Sequence, residues 1–447
     1  MIKHLHFRNP ASGIALGSVL LFGAPVLATS SSPLLTDSES SYASACLDYG
    51  DTAERIVEIC RIALADAQGA SARQLSGMRR SLGDALREVG DHEAARAQFD
   101  AILADNPTDV SGLLGMGWLL LEDDNLAEQA RIYFEKALNI NVSAEAVAGL
   151  ATAEYVLQQV SLDDYLQRMD AALAIQPNYP WVIREKGWRL YYADRGMEAV
   201  EMFSEALELN PTDANALAGR AQALTDFDPQ RALVDINRGL QEDPDDPWWY
   251  YQRSIVHHAL QNHRRAQADA ERYIEREPQI ADGYVQKARA MAALGRRGDA
   301  LKLLAEIRDR DGIEGLDFLR YWHALMLTDE GQWQSARDAL QPNFDLNEAD
   351  RYDYRIMAHI LIELEKPTEA IKMADAGLAI SPDWPLLHFY RAWALIKQRK
   401  PEKALDEFEV VREMGLRDWM AEEITSALVQ EGYYVQAIQL RVALRGE

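Results

Sequence analysis

Aromatic and arginine side chains are the residues of this sequence best suited to binding chemistry. The stretch PDDPWWYYQRS, residues 244–254, places two tryptophans and two tyrosines in succession, and residues 181–192 carry two of each again together with two arginines. Rigid rings supply contact area at low entropic cost, and arginine stacks on rings or binds carboxylates. These residue types favour recognition of a peptide or a sugar over bond-breaking chemistry.

Other chemically capable residues are not arranged for catalysis. His257, His258 and His263 lack the cysteine or carboxylate that would complete a zinc site. The glycine-rich segment SGLLGMG, residues 111–117, has neither the glycine order nor the preceding strand of a phosphate-binding loop. No serine, cysteine or carboxylate stands in a recognisable catalytic arrangement. The sequence therefore predicts a protein that is not an enzyme, with no cofactor and no metal.

A repeat of about 34 residues positions these side chains. It is marked, at intervals of 33 to 35 residues, by Pro107, Val142, Pro177, Pro211, Pro244 and Pro278. Before each mark, apolar residues follow one face of a helix, as Ala95, Phe99 and Leu103 do before Pro107. A second helix precedes that one and carries a small residue where the two cross, such as Gly83. Turn residues, such as Gly90-Asp91, join the pair.

The unit resembles the tetratricopeptide repeat, which has a small residue in its first helix, a glycine near the turn, an alanine at the crossing, a mid-helix aromatic residue and a closing proline. The resemblance covers residues 76–447, about eleven units, and weakens over 301–350 and 418–447. It implies an all-α fold, a right-handed superhelical solenoid of antiparallel helix pairs. Such a stack buries each pair against its neighbours and presents one concave groove.

The repeat frame assigns the aromatic residues to faces. Asp246 fits the N-cap and Pro247 the first position of a first helix, so Trp249 and Tyr250 are expected to pack inside. In the family, the second, fifth, ninth and twelfth positions of that helix line the groove. The resemblance therefore implies a ligand groove of Trp181, Arg184, Trp188, Tyr191, Tyr192, Trp248, Tyr251, His258, Phe389 and Trp393. The alternative is that these rings fill the narrow inside of a tightly wound solenoid.

The N-terminal segment predicts export. Residues 1–28 combine Lys3 and Arg8, an apolar run over 14–22 and a small-residue end at Ala28, which is the layout of a secretory signal; an uncleaved anchor is the alternative. Residues 29–75 are expected to form a serine-rich linker, over 29–45, and a capping helix, over 51–67. An oxidising compartment favours a disulfide between Cys46 and Cys60, and two buried thiols are the alternative.

Charge limits the partners. The formal net charge of −25 opposes binding to nucleic acid and to anionic lipid, so the partner is expected to be a basic or neutral protein or peptide. No stretch after the signal is long and apolar enough to span a membrane. We therefore expect a periplasmic scaffold or adaptor of the bacterial cell envelope that holds a peptide or helix in its concave groove. The alternatives are a structural organiser, acting through its convex face or by self-association, and a glycan-binding accessory subunit.

Overall fold

The structure is a computed structural model that describes residues 38–47, 52–414 and 418–445. Over these residues the chain is helical, apart from turns and one isolated β-bridge between Ile280 and Glu314. They form two compact units, the first ending at Pro244 and the second beginning at Asp245. The predicted all-α fold of paired helices is confirmed. The predicted signal segment, residues 1–28, lies outside the described residues.

The N-terminal unit consists of helix pairs that follow two leading helices. Its helices are α1 Ser38–Cys46, α2 Ala53–Ala65, α3 Ala72–Glu88, α4 His92–Asp105, α5 Val110–Leu120, α6 Ala127–Ile140, α7 Ala144–Val156, α8 Leu162–Ile175, α9 Pro180–Tyr192, α10 Gly196–Leu209, α11 Ala214–Leu224 and α12 Pro229–Glu242. From α3 onward, each odd-numbered helix is the first of a pair. It packs on its own second helix, and first helices such as α3 and α5 also contact each other. Helix α1 occupies the second half of the segment that we expected to be a linker.

The C-terminal unit continues the same alternation. Its helices are α13 Pro247–Ala259, α14 His263–Arg276, α15 Ala281–Ala293, α16 Arg297–Arg308, α17 Leu316–Asp329, α18 Trp333–Asp345, α19 Arg351–Glu363, α20 Pro367–Ile380, α21 Pro385–Lys397, α22 Pro401–Glu413, α23 Asp418–Gln430 and α24 Tyr434–Arg445. Within this unit the first helices α13, α15, α17, α19, α21 and α23 pack in succession. The side chains on those helices therefore meet across neighbouring repeats.

Local sequence signals set the helix ends. Asp246 caps α13 by accepting a hydrogen bond from the Trp248 N–H at 2.9 Å, and Pro247 is the first helical residue, as predicted. Many first helices end in a residue of left-handed backbone conformation, which Gly90 (φ +82°) adopts after α3 and Gly295 (φ +81°) after α15. Glycine has no Cβ to clash there, so these turns reverse the chain without strain.

Phenylalanine rings packed between two glycines form the core of three N-terminal repeats. Each ring comes from a second helix and lies against a glycine of its own first helix and a glycine of a following first helix. The three sets are Phe99 with Gly83 and Gly115, Phe134 with Gly117 and Gly149, and Phe203 with Gly187 and Gly219. All three rings are fully buried. The glycines of the segment 111–117 therefore serve helix packing, because a side chain would occupy the space of the ring.

The segment 301–350, where the repeat pattern weakens, closes differently from the others. The Glu314 N–H donates to the carbonyl of Gln279 at 2.8 Å, and the Ala281 N–H donates to the carbonyl of Glu314 at 2.9 Å. This short bridge joins the loop before α17 to the loop before α15. Further on, Pro342 lies inside α18 instead of closing the repeat.

The predicted disulfide is confirmed. Cys46 in α1 and Cys60 in α2 are bonded, with their Cα atoms 4.8 Å apart, and both residues are fully buried. The bond links the two leading helices of the N-terminal unit.

Candidate functional site

Trp181, the first of the predicted groove residues, is buried in the N-terminal unit. Only 5% of its surface is exposed, and its ring meets that of Trp118 edge to face at 4.7 Å. Tyr179 lies beside it, with ring centres 6.2 Å apart. Trp181 therefore packs against neighbouring repeats and leaves little area for a ligand. This burial does not fit the predicted role of Trp181 as a groove residue.

A charge network that the sequence analysis missed lies under this ring. Arg80 in α3 donates to Asp84 at 2.6 Å, to the carbonyl of Ser111 at 2.9 Å and to Glu145 in α7 at 2.7 Å. The indole N–H of Trp118 donates to the same Glu145 oxygen at 3.0 Å. Burial acts to lower the pKa of Arg80, but the two carboxylates outweigh it and hold that pKa above its usual range. The network is internal, and each nitrogen of the Arg80 guanidinium has an acceptor within the fold, which suits a structural role.

Arg184 is also paired within the fold. Its guanidinium donates to Asp213 at 2.6 Å, and the side chain of Asp213 caps α11. A ligand carboxylate would have to compete with Asp213 for this arginine. The prediction that Arg184 contacts a ligand is left without support in this geometry.

Three predicted residues do come together at the end of α9, and we call them the α9 ring cluster: Trp188, Tyr191 and Tyr192. The Trp188 ring stacks on that of Tyr192 at 5.9 Å and meets Tyr191 edge to face at 6.0 Å. Beneath them, Trp188 contacts the core ring of Phe203 at 5.1 Å. The cluster is thus anchored on the core, while Tyr192 is 54% exposed.

Three large apolar side chains at the ends of helices in two neighbouring repeats are exposed, and we call them the apolar rim: Tyr192, Met197 and Phe227. Met197 is 56% exposed and Phe227 is 64% exposed. The Phe227 ring covers Gly196, the first residue of α10, since a Cβ there would lie 3.0 Å from the ring. The rim therefore runs from the end of α9 to the turn between α11 and α12.

Acidic residues flank the apolar rim in the chain. Asp194 follows Tyr192 closely, and Asp226 and Asp228 stand on either side of Phe227. Asp194 and Asp226 are exposed, and the side chain of Asp228 caps α12. Sequence reasoning missed Met197 and Phe227 because neither lies on a first-helix face. A large ring between two aspartates in a turn, TDFDP, was a signal that could have identified Phe227.

The predicted residues of α13 are mostly internal to the C-terminal unit. Trp249 and Tyr250 are buried, as expected, but Tyr251 is also buried, with 5% of its surface exposed. Trp248 is half-buried against Trp249, at 4.8 Å between ring centres. Tyr251 is therefore a core residue, because α14 and α15 cover it, and its ring lies 5.3 Å from that of Tyr273.

His258 is half-buried near the end of α13. Its ring centre lies 4.9 Å from that of His263. Burial, together with the charge of Arg289, lowers the pKa of His258 to about 3, so the imidazole is neutral at physiological pH. Within the described part of the chain, no group of three or more histidine, cysteine, aspartate or glutamate residues could hold a metal ion.

Phe389 and Trp393 on α21 belong to an aromatic stack. Phe389 is 1% exposed, and its ring centre lies 6.0 Å from that of Trp393. Trp393 is half-buried and stacks on Tyr390, and His359 of α19 packs on both rings. Phe389 is therefore a packing residue, and Trp393 keeps only a partly exposed edge.

Comparison with known proteins agrees with the helix pairing. The family model described as tetratricopeptide repeat matches residues 80–146 and 184–247. The DnaJ homolog subfamily C member 3 homolog of Dictyostelium discoideum is 26% identical over 216 residues, 44% of this chain and 41% of that protein. The human protein SGT1 homolog is 37% identical over 67 residues, 15% of this chain and 18% of that protein. The chain thus spans less than half the length of either relative.

Among solved structures, yeast Tom70 superposes with a TM-score of 0.54 at 16% identity, over 90% of this chain and 97% of that one, a likeness of fold alone. The sequence period, the paired helices and the two matched segments agree. The two matched segments are tetratricopeptide repeats, and repeats of this kind act as scaffolds for protein–protein interaction.

Proposed function

We propose that this protein is a non-enzymatic scaffold that binds a partner protein at the apolar rim of its N-terminal unit. The observation that carries the proposal is the exposure of Tyr192, Met197 and Phe227, each more than half exposed at one edge of two neighbouring repeats. Exposed apolar side chains grouped in neighbouring repeats mark interaction sites more often than isolated ones do. The α9 ring cluster behind Tyr192 gives the rim a rigid support, which reduces the entropy lost on binding.

Charge defines the partner further. Asp194, Asp226 and Asp228 flank the rim, and the chain carries a formal net charge of −25. A partner segment that combines large apolar side chains with lysine or arginine would pack on the rim side chains and be attracted by the negative charge around them. Its association rate should fall as salt is added, because exposed charges are screened.

The proposed location is the bacterial cell envelope, most simply the periplasm. The layout of residues 1–28 supports export, and the bond between Cys46 and Cys60 fits an oxidising compartment. Among the described helices, none combines the length and apolar character needed to cross a bilayer.

A charge-paired peptide set tests the rim. Amphipathic helical peptides with one apolar face and either lysine or glutamate on the other would be titrated against the protein by fluorescence anisotropy. We expect the lysine series to bind, and the Tyr192→Ala/Phe227→Ala double variant to bind about tenfold more weakly or worse, the loss typical of central aromatic contacts. Because both side chains are exposed, the variant should melt like the unchanged protein.

Tyr434→Ala is the matched control, since Tyr434 is 63% exposed on α24, far along the chain from the rim. It should leave peptide binding unchanged. Equal affinity of the rim variant would remove the rim from the interface. A molar mass that grows with concentration would then favour the structural organiser, for which the exposed Tyr434, Val435 and Ile438 on α24 offer a self-association surface.

A further inference from the structure

Met197 in the apolar rim departs from the repeat pattern. It is the second residue of α10, and it is 56% exposed. The second residue of each of the three preceding second helices, α4, α6 and α8, is an exposed acid: Glu93, Glu128 and Asp163. An acidic side chain at this place interacts favourably with the helix dipole, and methionine gives up that interaction. The position does not require an apolar side chain, which indicates a role for Met197 outside packing.

Oxidisable sulfur in this chain is confined to methionine. The two cysteines of the sequence, Cys46 and Cys60, are bonded to each other and fully buried, so the protein carries no thiol. Methionine thioethers are then the sulfur groups that an oxidant can attack, and exposed groups react more readily than buried ones.

Met197 is also the methionine most open to solvent. Of the methionines that the structure describes, seven are 5% exposed or less, and Met202, Met373 and Met414 are half-buried. Met197, at 56%, is the most exposed of this set. We therefore expect a small oxidant to reach the Met197 sulfur first.

Met197 lies close to the Phe227 ring. A Cβ at Gly196 would lie 3.0 Å from that ring, and Met197 follows Gly196 directly in α10. Thioethers pack favourably against aromatic rings, whereas the sulfoxide is a polar group. Oxidation of Met197 would therefore change the chemistry of the rim at an exposed side chain, without a change in the core.

We propose that Met197 is a site of reversible oxidation, at which a hydroperoxide such as hydrogen peroxide lowers the affinity of the apolar rim for its partner. This regulation rests on the proposed function of the rim. The thioether sulfur attacks one oxygen of hydrogen peroxide, the O–O bond breaks as the S–O bond forms, and water leaves. Sulfur loses two electrons and the peroxide gains them. Methionine sulfoxide reductases reverse the step with electrons from thiols, which become a disulfide as water is released.

Peptide mapping by mass spectrometry locates the oxidation. The full chain would be treated with increasing amounts of hydrogen peroxide, and the sulfoxide fraction of each methionine would be measured after digestion. We expect Met197 to be oxidised before Met202, which lies half-buried on the same helix. Equal or slower oxidation of Met197 would overturn the site. This readout does not depend on any partner.

Fluorescence anisotropy measures the effect on the rim. The probe is the lysine-bearing amphipathic peptide with which the rim itself is tested. We expect oxidation of Met197 to weaken binding about fivefold or more, as the loss of one contributing interface residue does. Treatment with the reductase should restore the affinity.

Two leucine variants assign the effect to one sulfur. Met197→Leu has no sulfur at the rim, so its affinity should be the same before and after peroxide treatment. Met202→Leu is the matched control and should keep the peroxide sensitivity of the unchanged protein. Sensitivity that persists in Met197→Leu would place the effect at another residue and would overturn the proposal.

Failure of the proposed function gives a different result from failure of the regulation. If the peptide does not bind before oxidation, the rim is not a binding site and its regulation falls with it. If the peptide binds equally well with Met197 in either oxidation state, the rim remains a binding site and only the regulation is overturned.

Discussion

At the scale of single residues, the glycines beside Phe203 show how little space the N-terminal repeats leave. A Cβ at Gly219 would lie 2.2 Å from the Phe203 ring. Although alanine normally favours a helix over glycine by about 1 kcal/mol, overpacking of a full core costs about 1–3 kcal/mol. We therefore expect Gly219→Ala to lower the free energy of unfolding, measured by urea titration.

Gly298 provides the matched control for that substitution. It lies in α16, and a Cβ there meets nothing within 4 Å. Gly298→Ala should be neutral or slightly stabilising. If Gly219→Ala behaved in the same way, the repeats would adapt more readily than their close packing indicates.

His359 gives the C-terminal unit a response to acid. It is 9% exposed, and burial, followed by the charge of Arg355, lowers its pKa to about 4. A histidine in an unfolded chain titrates near pH 6.5, so the unfolded state takes up the proton first. The stability that the neutral ring contributes is complete above about pH 6.5 and is lost as the pH falls towards 4.

Urea unfolding of His359→Phe at pH 7.5 and pH 5 checks this dependence. Phenylalanine keeps a ring against Tyr390 and Trp333, which lie 5.1 and 5.3 Å from the histidine ring. We expect the variant to lose less stability on acidification than the unchanged protein, by up to about 1.4 kcal/mol per pH unit. The other titrating groups are common to both proteins. Identical acid sensitivity would show that His359 takes up no proton on unfolding.

Single residues were also where sequence reasoning reached its limit. The repeat frame assigned Trp181 and Trp188 to the same surface, yet Trp181 is buried and Trp188 is half-buried at the edge of an exposed cluster. Helical spacing gives the direction of a side chain, but not the distance to the neighbouring helix that covers it. The burial of Tyr251 has the same cause, because α15 packs closely on α13.

At the scale of helices, Arg80 ties three first helices together. It reaches from α3 to Ser111 on α5 and to Glu145 on α7. Arg80→Ala would leave Asp84 and Glu145 without this cation in a buried site, a type of loss that costs about 3–5 kcal/mol. We expect the midpoint of denaturant unfolding of the N-terminal unit to fall substantially. Circular dichroism would be used to monitor the unfolding.

Arg195→Ala is the control for the helix tie. Arg195 also joins two helices, through Asp163 and Glu198, but it does so on the exposed surface. Solvent and salt screen such pairs, so little change is expected. Comparable losses of stability in the two variants would show that burial does not determine how much these ion pairs stabilise the fold.

The existence of most helices could be predicted from the sequence, because local signals fix it. The start of α13 at Pro247, capped by Asp246, is an example. The closing of the repeats around 301–350 could not be predicted. There the bridge between Ile280 and Glu314 joins residues far apart in the chain, and Pro342 lies within a helix that packing maintains. Such features depend on tertiary contacts that no local pattern reports.

At the scale of the whole molecule, the repeat type could be predicted from the sequence because its period recurs many times. The identity of the partner could not be predicted. Repeats with the same core support different surfaces, so the fold does not determine the ligand. The exposed Phe227 lies in a turn, and its position does not follow from the repeat pattern. The net charge of −25 is the global property from which the sequence alone restricts the kind of partner that can bind.

The sharing of one phenylalanine between two glycines also bears on how such a chain can change by duplication. Phe99, Phe134 and Phe203 each depend on a glycine supplied by a later repeat. A duplicated or transplanted cassette is therefore compatible only with a neighbour that offers this gap. Among the first helices of the Phe-centred repeats, α5 offers such a gap through Gly115, whereas the single glycine of α9, Gly187, already lies against its own Phe203. The order of the repeats is therefore constrained, and we expect a Phe-centred repeat to be tolerated only before a first helix with a free glycine at this position.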